Sequence, residues 1–238
     1  MKKLTMLMAC TASVVAMNAQ IAEVSAPRPL LSGKYSQMYN PVLSEDGSRV
    51  MFTSDDYTDL RMYDFKDNVT VKLNATKEQA FKARFVGNET SFDAPKVRTE
   101  GSELIITRNG VEKRYTPVVC TAGYCWASMS PDGKKVVFLA AGKGLVVTDM
   151  EGRVIARPGN YESPAWFGND HLVVQNATDD GHQLHSSQIL LLSLDGSEKQ
   201  ELTKPESMTM TPTASIKANK VVYSTITGRL YEMDVKLK

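Results

Sequence analysis

A repeated stretch is the feature that most limits what this chain can fold into. PVLSEDGSRVMF at 41–52 returns as ASMSPDGKKVVF at 127–138, each time with a tight turn between two apolar-alternating runs. Related units begin at positions 41, 83, 127, 164 and 212, which are 42, 44, 37 and 48 residues apart. Each unit predicts a strand, a turn rich in Gly, Asn or Asp, and a second strand.

Two further strands complete most units. The third strand ends in an acidic residue in four of them, at Asp64, Asp149, Asp195 and Asp234. Helical periodicity is missing, and a period of about 43 residues with four strands is typical of a propeller blade. The pattern predicts an all-β protein, a five-bladed β-propeller of four-stranded antiparallel blades. The blades are expected to start near positions 37, 80, 124, 161 and 208.

The last unit is incomplete, because the chain stops after a third strand, GRLYEMDVKLK. The segment before Pro41, which includes Arg28-Pro29-Leu30-Leu31, belongs to no complete unit. We expect it to supply the missing outer strand and close the ring, which removes an open seam. A β-sandwich would also contain many short strands, but it would not produce this period.

The first residues predict export. A basic pair, Lys2-Lys3, precedes an apolar stretch that is too short to span a bilayer, and small residues follow up to Ala19. We interpret 1–19 as a signal peptide and 20–238 as a single propeller domain. Leu7-Met8-Ala9-Cys10 resembles a lipobox, so a lipoprotein anchored through Cys10 is the alternative. No later stretch predicts a transmembrane segment.

The units SPDGKKVVF…LVVTDMEG and SEDGSRVMF…LRMYDF resemble the TolB-type, WD-like repeat of exported bacterial propellers. The same repeat forms the propeller of prolyl-oligopeptidase-like enzymes. The resemblance implies the fold and a periplasmic or extracellular location. It does not imply a role in the Tol–Pal system, because TolB has a sixth blade and an added α/β domain. The Gly-x-Ser-x-Gly elbow of a hydrolase domain is also absent from the sequence.

Two cysteines remain after the predicted leader, Cys120 and Cys125. An even pair in an exported chain predicts a disulfide. A metal site would need further cysteines or nearby histidines, which the sequence does not place there.

The charge balance argues against one class of partner. The formal net charge is +1, and no run of lysine or arginine is longer than two residues. Proteins that bind nucleic acids usually have a basic excess on one face, so we predict no nucleic-acid partner.

Binding residues are expected on the loops between second and third strands, which vary in length and share a face with the connections between blades. These loops are expected at 53–60, 94–102, 140–144, 175–188 and 225–228. Asp55, Asp56 and Tyr57 suit a cation or a basic peptide, and Tyr124 and Trp126 suit a ligand platform. A loop at 175–188 contains Asp179, Asp180, His182 and His185. This set lacks a third firm ligand, so no metal site is predicted.

Enzymatic signals are weak. The first strands are expected to be YNPVLS, FKARFV, WASMS, SPAWF and MTPTAS, without an Asp or Glu that could face the central channel as in propeller glycosidases. We therefore predict no catalytic residue and no cofactor. The favoured hypothesis is a non-enzymatic interaction or scaffold module with an envelope or extracellular protein partner. A lectin-like sugar binder using Tyr57, Tyr124 or Trp126, and a cation-dependent glycan or peptide hydrolase using Asp55, Asp56, Asp179 or Asp180, remain open.

Overall fold

The computed structural model describes residues 20–31, 35 and 37–238. The predicted leader and Cys10 lie outside the described residues. The described part of the chain forms 22 strands, one α-helix and one 3-10 helix, which confirms the all-β prediction. None of its helices has the length and hydrophobicity needed to cross a membrane.

The strands form five blades around a central axis, which confirms the predicted five-bladed β-propeller. Two short strands come first: β1 (Ala22–Val24) and β2 (Arg28–Pro29). Blade 1 contains β3 (Met38–Leu43), β4 (Arg49–Ser54), β5 (Arg61–Asp64) and β6 (Val69–Lys72). The helix α1 (Lys77–Lys82) leads to blade 2, which contains β7 (Arg84–Val86), β8 (Glu89–Ser91), β9 (Val97–Glu100), β10 (Glu103–Arg108) and β11 (Val111–Tyr115).

The remaining blades follow the same order from the axis outwards. Blade 3 contains β12 (Tyr124–Met129), β13 (Lys135–Ala140), β14 (Gly144–Asp149) and β15 (Val154–Gly159). Blade 4 contains β16 (Glu162–Phe167), β17 (His171–Asp179), β18 (Leu184–Ser193) and β19 (Lys199–Glu201). A 3-10 turn (Pro205–Ser207) leads to blade 5, with β20 (Thr209–Ser215), β21 (Lys220–Thr225) and β22 (Leu230–Leu237).

The N-terminal segment closes the ring, as predicted. β1 pairs antiparallel with β22, with Val24 opposite Val235, and β2 continues along the same strand, with Arg28 opposite Glu232. Arg28 also donates two hydrogen bonds to the carboxylate of Asp234, at 2.9 and 3.1 Å. The first and last strands of the described residues thus share one blade.

Blade 2 departs from the regular pattern. β7 and β8 form a separate hairpin, while β9, β10 and β11 form a three-stranded sheet. β9 ends at Glu100, and the carbonyl oxygen of the next residue, Gly101, accepts a hydrogen bond from the amide of Tyr124, the first residue of β12. Second strands end on the face where inner strands begin, so we interpret β8 and β9 as two halves of one interrupted second strand. The sequence-based expectation that 94–102 is a loop was therefore wrong for Val97–Glu100.

The repeated turn joins neighbouring blades, which explains why the chain uses it twice. The amide of Asp46 donates to Asn88 Oδ1 at 3.2 Å, and the amide of Asp132 donates to Asn169 Oδ1 at 3.1 Å. In each pair, the asparagine belongs to the first hairpin of the next blade. Gly47 has a φ of 69°, a conformation that glycine adopts without steric cost.

The acids at the ends of third strands cap the following turns. Asp149 Oδ1 accepts the amides of Glu151 and Arg153, both at 2.9 Å, and Asp64 Oδ1 accepts those of Lys66 and Asp67. Hydrogen bonds from the Ser193 hydroxyl and from Ser197 lower the pKa of Asp195 to about 2. The fourth acid, Asp234, pairs with Arg28 instead, because there the outer strand comes from the N-terminus.

The depressed pKa predicts acid sensitivity. Because the folded value lies below the ordinary value of 3.8, the hydrogen bonds of Asp195 stabilise the fold at higher pH, and this contribution disappears as pH falls through about 2. We expect carboxyl NMR titration to place Asp195 near 2. In Asp195→Asn, the free energy of unfolding should fall less between about pH 4 and pH 2 than in the wild type. A titration midpoint at the ordinary value would contradict the assignment.

Apolar side chains fill the spaces between blades. Phe138 and Val136 of blade 3 pack with Leu104 and Ile106 of blade 2, and all four are at most 2% exposed. Equivalent clusters lie between the other blades. The core is therefore divided into layers that alternate with the sheets.

Candidate functional site: the channel mouth and its face

One face of the propeller carries the turns between second and third strands. These turns comprise residues 55–60, 141–143, 180–183 and 226–229, and we call this side the mouth face. The inner strands β3, β12, β16 and β20 begin on the same side. Their first residues therefore surround the entrance of the central channel, which we call the channel mouth.

Each of these four inner strands has a β-bulge near its start. The pairing with the second strand is interrupted at Tyr39–Val42, Cys125–Ser128, Glu162–Ala165 and Met210–Thr213. In each bulge one residue that is not glycine has a positive φ between 45° and 55°: Asn40, Trp126, Ser163 and Thr211. Proline follows three of them, and a proline cannot donate a hydrogen bond to the neighbouring strand.

The bulges place four energetically costly backbone conformations around the channel mouth. A left-handed conformation costs roughly 1–2 kcal/mol in a residue with a side chain. The four residues with positive φ lie near the starts of the inner strands and surround the channel mouth. Bulges often redirect side chains at binding sites. Three of the four bulge positions are marked in the sequence, because each directly precedes a proline: Pro41, Pro164 or Pro212.

A polar network connects blades 4 and 5 at the mouth. Gln175 Nε2 donates to Glu162 Oε2 at 3.4 Å, and Gln175 Oε1 accepts the amide of Thr211 at 3.1 Å. The Thr211 and Ser224 hydroxyls lie 2.7 Å apart. Burial raises the pKa of Glu162, and the negative charge of Asp179 raises it further.

Glu162 corrects the sequence-based description of the inner strands. The fourth was expected to read SPAWF without an acid, but β16 begins one residue earlier, at Glu162. The channel mouth therefore contains a partly buried carboxyl group. Its raised pKa means that this carboxyl group holds its proton at a higher pH than an exposed glutamate does.

The segment 175–188 is largely a β-ribbon and not a loop. β17 and β18 pair through Thr178 and Ser186, and only 180–183 form the turn. These are the longest strands in the described part of the chain, with 9 and 10 residues. We call residues 179–185 the ribbon tip.

Most polar groups of the ribbon tip hold the turn in place. The Asp180 carboxylate accepts the amides of His182 and Gln183 at 2.9 and 2.7 Å, and these hydrogen bonds lower its pKa. His185 Nε2 lies 3.1 Å from Asp180 Oδ2. Asp179 Oδ1 accepts the amide of Gly181 at 2.8 Å. Within the described residues, no three His, Cys, Asp or Glu side chains are grouped to hold a metal ion.

The blade 1 turn places its three candidates differently. Asp56 Oδ1 accepts the hydroxyls of Ser54 and Thr58, at 2.7 and 2.8 Å, and these bonds lower its pKa to about 2. Asp56 is thus a turn cap like Asp195. The Tyr57 hydroxyl accepts a hydrogen bond from Asn40 Nδ2 at 3.0 Å, which joins this turn to the channel mouth. Asp55 is exposed.

The aromatic candidates separate into core and surface. Tyr124 is buried, its ring centroid lies 4.7 Å from that of Phe138, and its hydroxyl bonds to the backbone of Val118, so it cannot serve as a ligand platform. Trp126 is 46% exposed at its bulge. Trp166 is buried and donates from Nε1 to Ser128 O at 3.3 Å.

The expected disulfide is not formed in the structure. Cys120 and Cys125 are both free thiols. Cys120 Sγ contacts the carbonyl oxygens of Gly123 and Ala141 at 3.3 Å, which holds the buried thiol within the blade interface. Burial raises the pKa of the Cys125 thiol, and the charge of Glu162 adds to this effect. Cys125 is therefore a thiol and not a reactive thiolate near neutral pH.

The structure thus divides the sequence-based candidates. Tyr57 and Trp126 lie at the channel mouth, and Asp179 lies near enough to Glu162 to affect its charge. Asp180, His182 and His185 belong to the ribbon tip, and Tyr124 belongs to the core. Glu162, Gln175, Asn40 and Thr211 are not predicted from the sequence, because the bulge positions and the cross-blade contacts emerge only in the folded chain.

Comparisons with known proteins find propellers of low sequence identity. The β-propeller domain of Cps50 (Swd1) from Myceliophteria thermophila has a TM-score of 0.45 and 8% identity over 84% of each chain. TolB from Acinetobacter baumannii has a TM-score of 0.43 and 14% identity over 87% of this chain, which spans 57% of that protein. A putative TolB from Agrobacterium tumefaciens has a TM-score of 0.37 and 15% identity over 81% of this chain and 71% of that one. No family model and no curated protein sequence matches the chain.

Proposed function

We propose that the protein is an exported, non-enzymatic binding module whose protein partner, in the cell envelope or outside the cell, contacts the mouth face. The observation that carries the proposal is the β-ribbon of blade 4, which is longer than the second and third strands of the other blades. A long ribbon on a rigid scaffold provides exposed side chains at little cost in ordering.

The chemistry of the mouth face supports binding more than catalysis. Asp56 and Asp180, two of the acids considered for hydrolysis, are occupied as turn caps. Trp126 offers a half-exposed indole beside the ribbon's blade, and aromatic anchors are common at the centre of protein interfaces. The leader expected at 1–19 supports export.

Shortening the ribbon should abolish capture of the partner. The pair Thr178–Ser186 is in register, so residues 179–185 can be replaced by Asn-Gly, which forms a tight two-residue turn. We expect tagged wild-type protein to retain a stoichiometric partner from the host's envelope or culture-medium fraction, identified by mass spectrometry. The shortened variant should lose it while its melting temperature stays close to the wild-type value.

The matched control changes the opposite face. Lys66 and Asp67 lie in the exposed turn between β5 and β6, so Lys66→Ser/Asp67→Ser should leave capture unchanged. Equal capture by the shortened ribbon variant, or loss in the Lys66/Asp67 variant, would contradict the assigned face.

A hydrolase is the second candidate, favoured by Glu162, whose raised pKa suits a general acid and which lies near Asp179. The Glu162→Gln variant distinguishes hydrolysis from partner binding when both are measured on the same purified protein. It should abolish any turnover on glycan and peptide panels, whereas capture of a protein partner through the ribbon should persist. If the wild-type protein turns over a substrate and Glu162→Gln abolishes this activity, the protein is a hydrolase and not a binding module.

A further inference from the structure

A cleft of about 620 Å³ opens beside blade 4, on the side that faces blade 3. Asn160 and Tyr161, from the connection between these blades, form one wall. Asn176 and Gln188, from β17 and β18, form another, and Lys199 and Glu201 of β19 lie at its edge. The volume is within the range of about 300–1,000 Å³ that is usual for small-ligand sites. None of these residues belongs to the ribbon tip, so the cleft is a separate site.

Two of the five side-chain amides that line this cleft are already bonded, Gln200 to the backbone of Ala22 and Gln20 to Lys238, and the other three lack partners within the described residues. Neither Asn160 nor Asn176 makes a side-chain hydrogen bond within the described part of the chain. Gln188 is only 7% exposed, and its buried Oε1 has no hydrogen-bond partner there. A buried amide oxygen without a donor costs free energy, so a ligand that supplies a donor would be stabilised once the Gln188 amide turns toward the cleft.

The aromatic wall is held by a specific backbone feature. Gly159 has a φ of 129°, and a Cβ atom added there would lie 2.8 Å from Tyr161 Cε2. The absence of a side chain therefore lets the Tyr161 ring pack closely against the backbone. Tyr161 also contacts the apolar layer between blades 3 and 4, which fixes one side of the ring.

The lining determines the class of ligand. The opposite charges of Lys199 and Glu201 offset each other, which favours an uncharged ligand. Amide groups both donate and accept hydrogen bonds, as the hydroxyl groups of a sugar do. A tyrosine ring can pack against the apolar C–H face of the same sugar. We propose that this cleft binds a short, neutral oligosaccharide.

Purified wild-type protein can be tested on an array of neutral trisaccharides (maltotriose, cellotriose, mannotriose and triacetylchitotriose) with sialyllactose and digalacturonate as acidic probes. We expect binding to at least one neutral probe and none to the acidic probes. By titration calorimetry with that neutral probe, Tyr161→Ala and Gln188→Leu should each weaken the affinity about tenfold or more.

Control variants distinguish a loss of sugar binding at the cleft from a loss of binding caused by misfolding. Tyr161→Phe keeps the ring and should retain binding, and Gln183→Leu, an exposed glutamine on the ribbon tip, should leave the affinity unchanged. The neutral probe should raise the melting temperature of the wild type but not that of Gln188→Leu. Absence of binding to every neutral probe, preference for acidic probes, or full affinity in both Tyr161→Ala and Gln188→Leu would overturn the proposal.

Discussion

Replacing Phe138 by alanine is expected to lower the free energy of unfolding by about 3–5 kcal/mol. Phe138 is fully buried between blades 2 and 3, where its ring lies against Tyr124 and the neighbouring apolar residues. The loss combines the removed apolar contacts with the cavity that remains. In a domain of this size it corresponds to a fall in melting temperature on the order of 10 °C.

The chain offers a matched control for this prediction. Phe81 on α1 is 68% exposed, so Phe81→Ala should change the free energy of unfolding by no more than about 1 kcal/mol. Urea denaturation followed by tryptophan fluorescence measures both variants. Similar effects of the two substitutions would show that the layer between blades 2 and 3 is not packed as described.

Removing residues 20–31 should have the second large effect, because it deletes β1 and β2 and reopens the ring. The deletion removes the buried Ala22 and Leu30 and the two hydrogen bonds between Arg28 and Asp234. It also leaves β22 as an unpaired edge, which can pair with another copy of the chain. We expect a melting temperature lower by roughly 10 °C or more and concentration-dependent association on size exclusion.

A synthetic peptide of residues 20–31 tests the mechanism of this loss. Added in trans, it should pair with β22 and restore part of the melting temperature and the monomer, since strand addition needs no covalent link. A peptide of the same composition in scrambled order should not. If the deletion variant melts like the wild type, the N-terminal strands do not close the propeller.

Several features of the fold were predictable because they depend on local chemistry. The Asp-Gly turns at 46–47 and 132–133 require glycine at a positive φ, and the structure has 69° and 70° there. The third-strand acids cap turns through backbone amides two to four residues further on, which is a short-range contact. The missing outer strand followed from counting strands in the last unit.

Other features failed because their causes lie far apart in the chain. The sequence predicts a loop at 94–102, where the structure has part of the second strand of blade 2, since the polar residues of Val97–Glu100 do not alternate clearly with apolar ones. The even pair of cysteines predicts a disulfide, but carbonyl groups of Gly123 and Ala141 hold the Cys120 thiol in the blade interface. The sequence offers Asp56 and Asp180 as residues that could bind a partner or a cation. In the folded turns, their carboxylates accept hydrogen bonds from neighbouring residues instead.

The sequence by itself determined the repeat, the number of blades, the turn chemistry and the closure of the ring. These depend on residues within one unit, or on a simple count of units, and hydrophobic periodicity records them directly. Only the tertiary structure decided which polar groups meet. Glu162, Gln175 and Thr211 come together because blades 4 and 5 pack side by side, and Asn160 and Gln188 line the same cleft although they lie on different elements. Contacts of this kind depend on the relative positions of whole sheets, which no local pattern specifies.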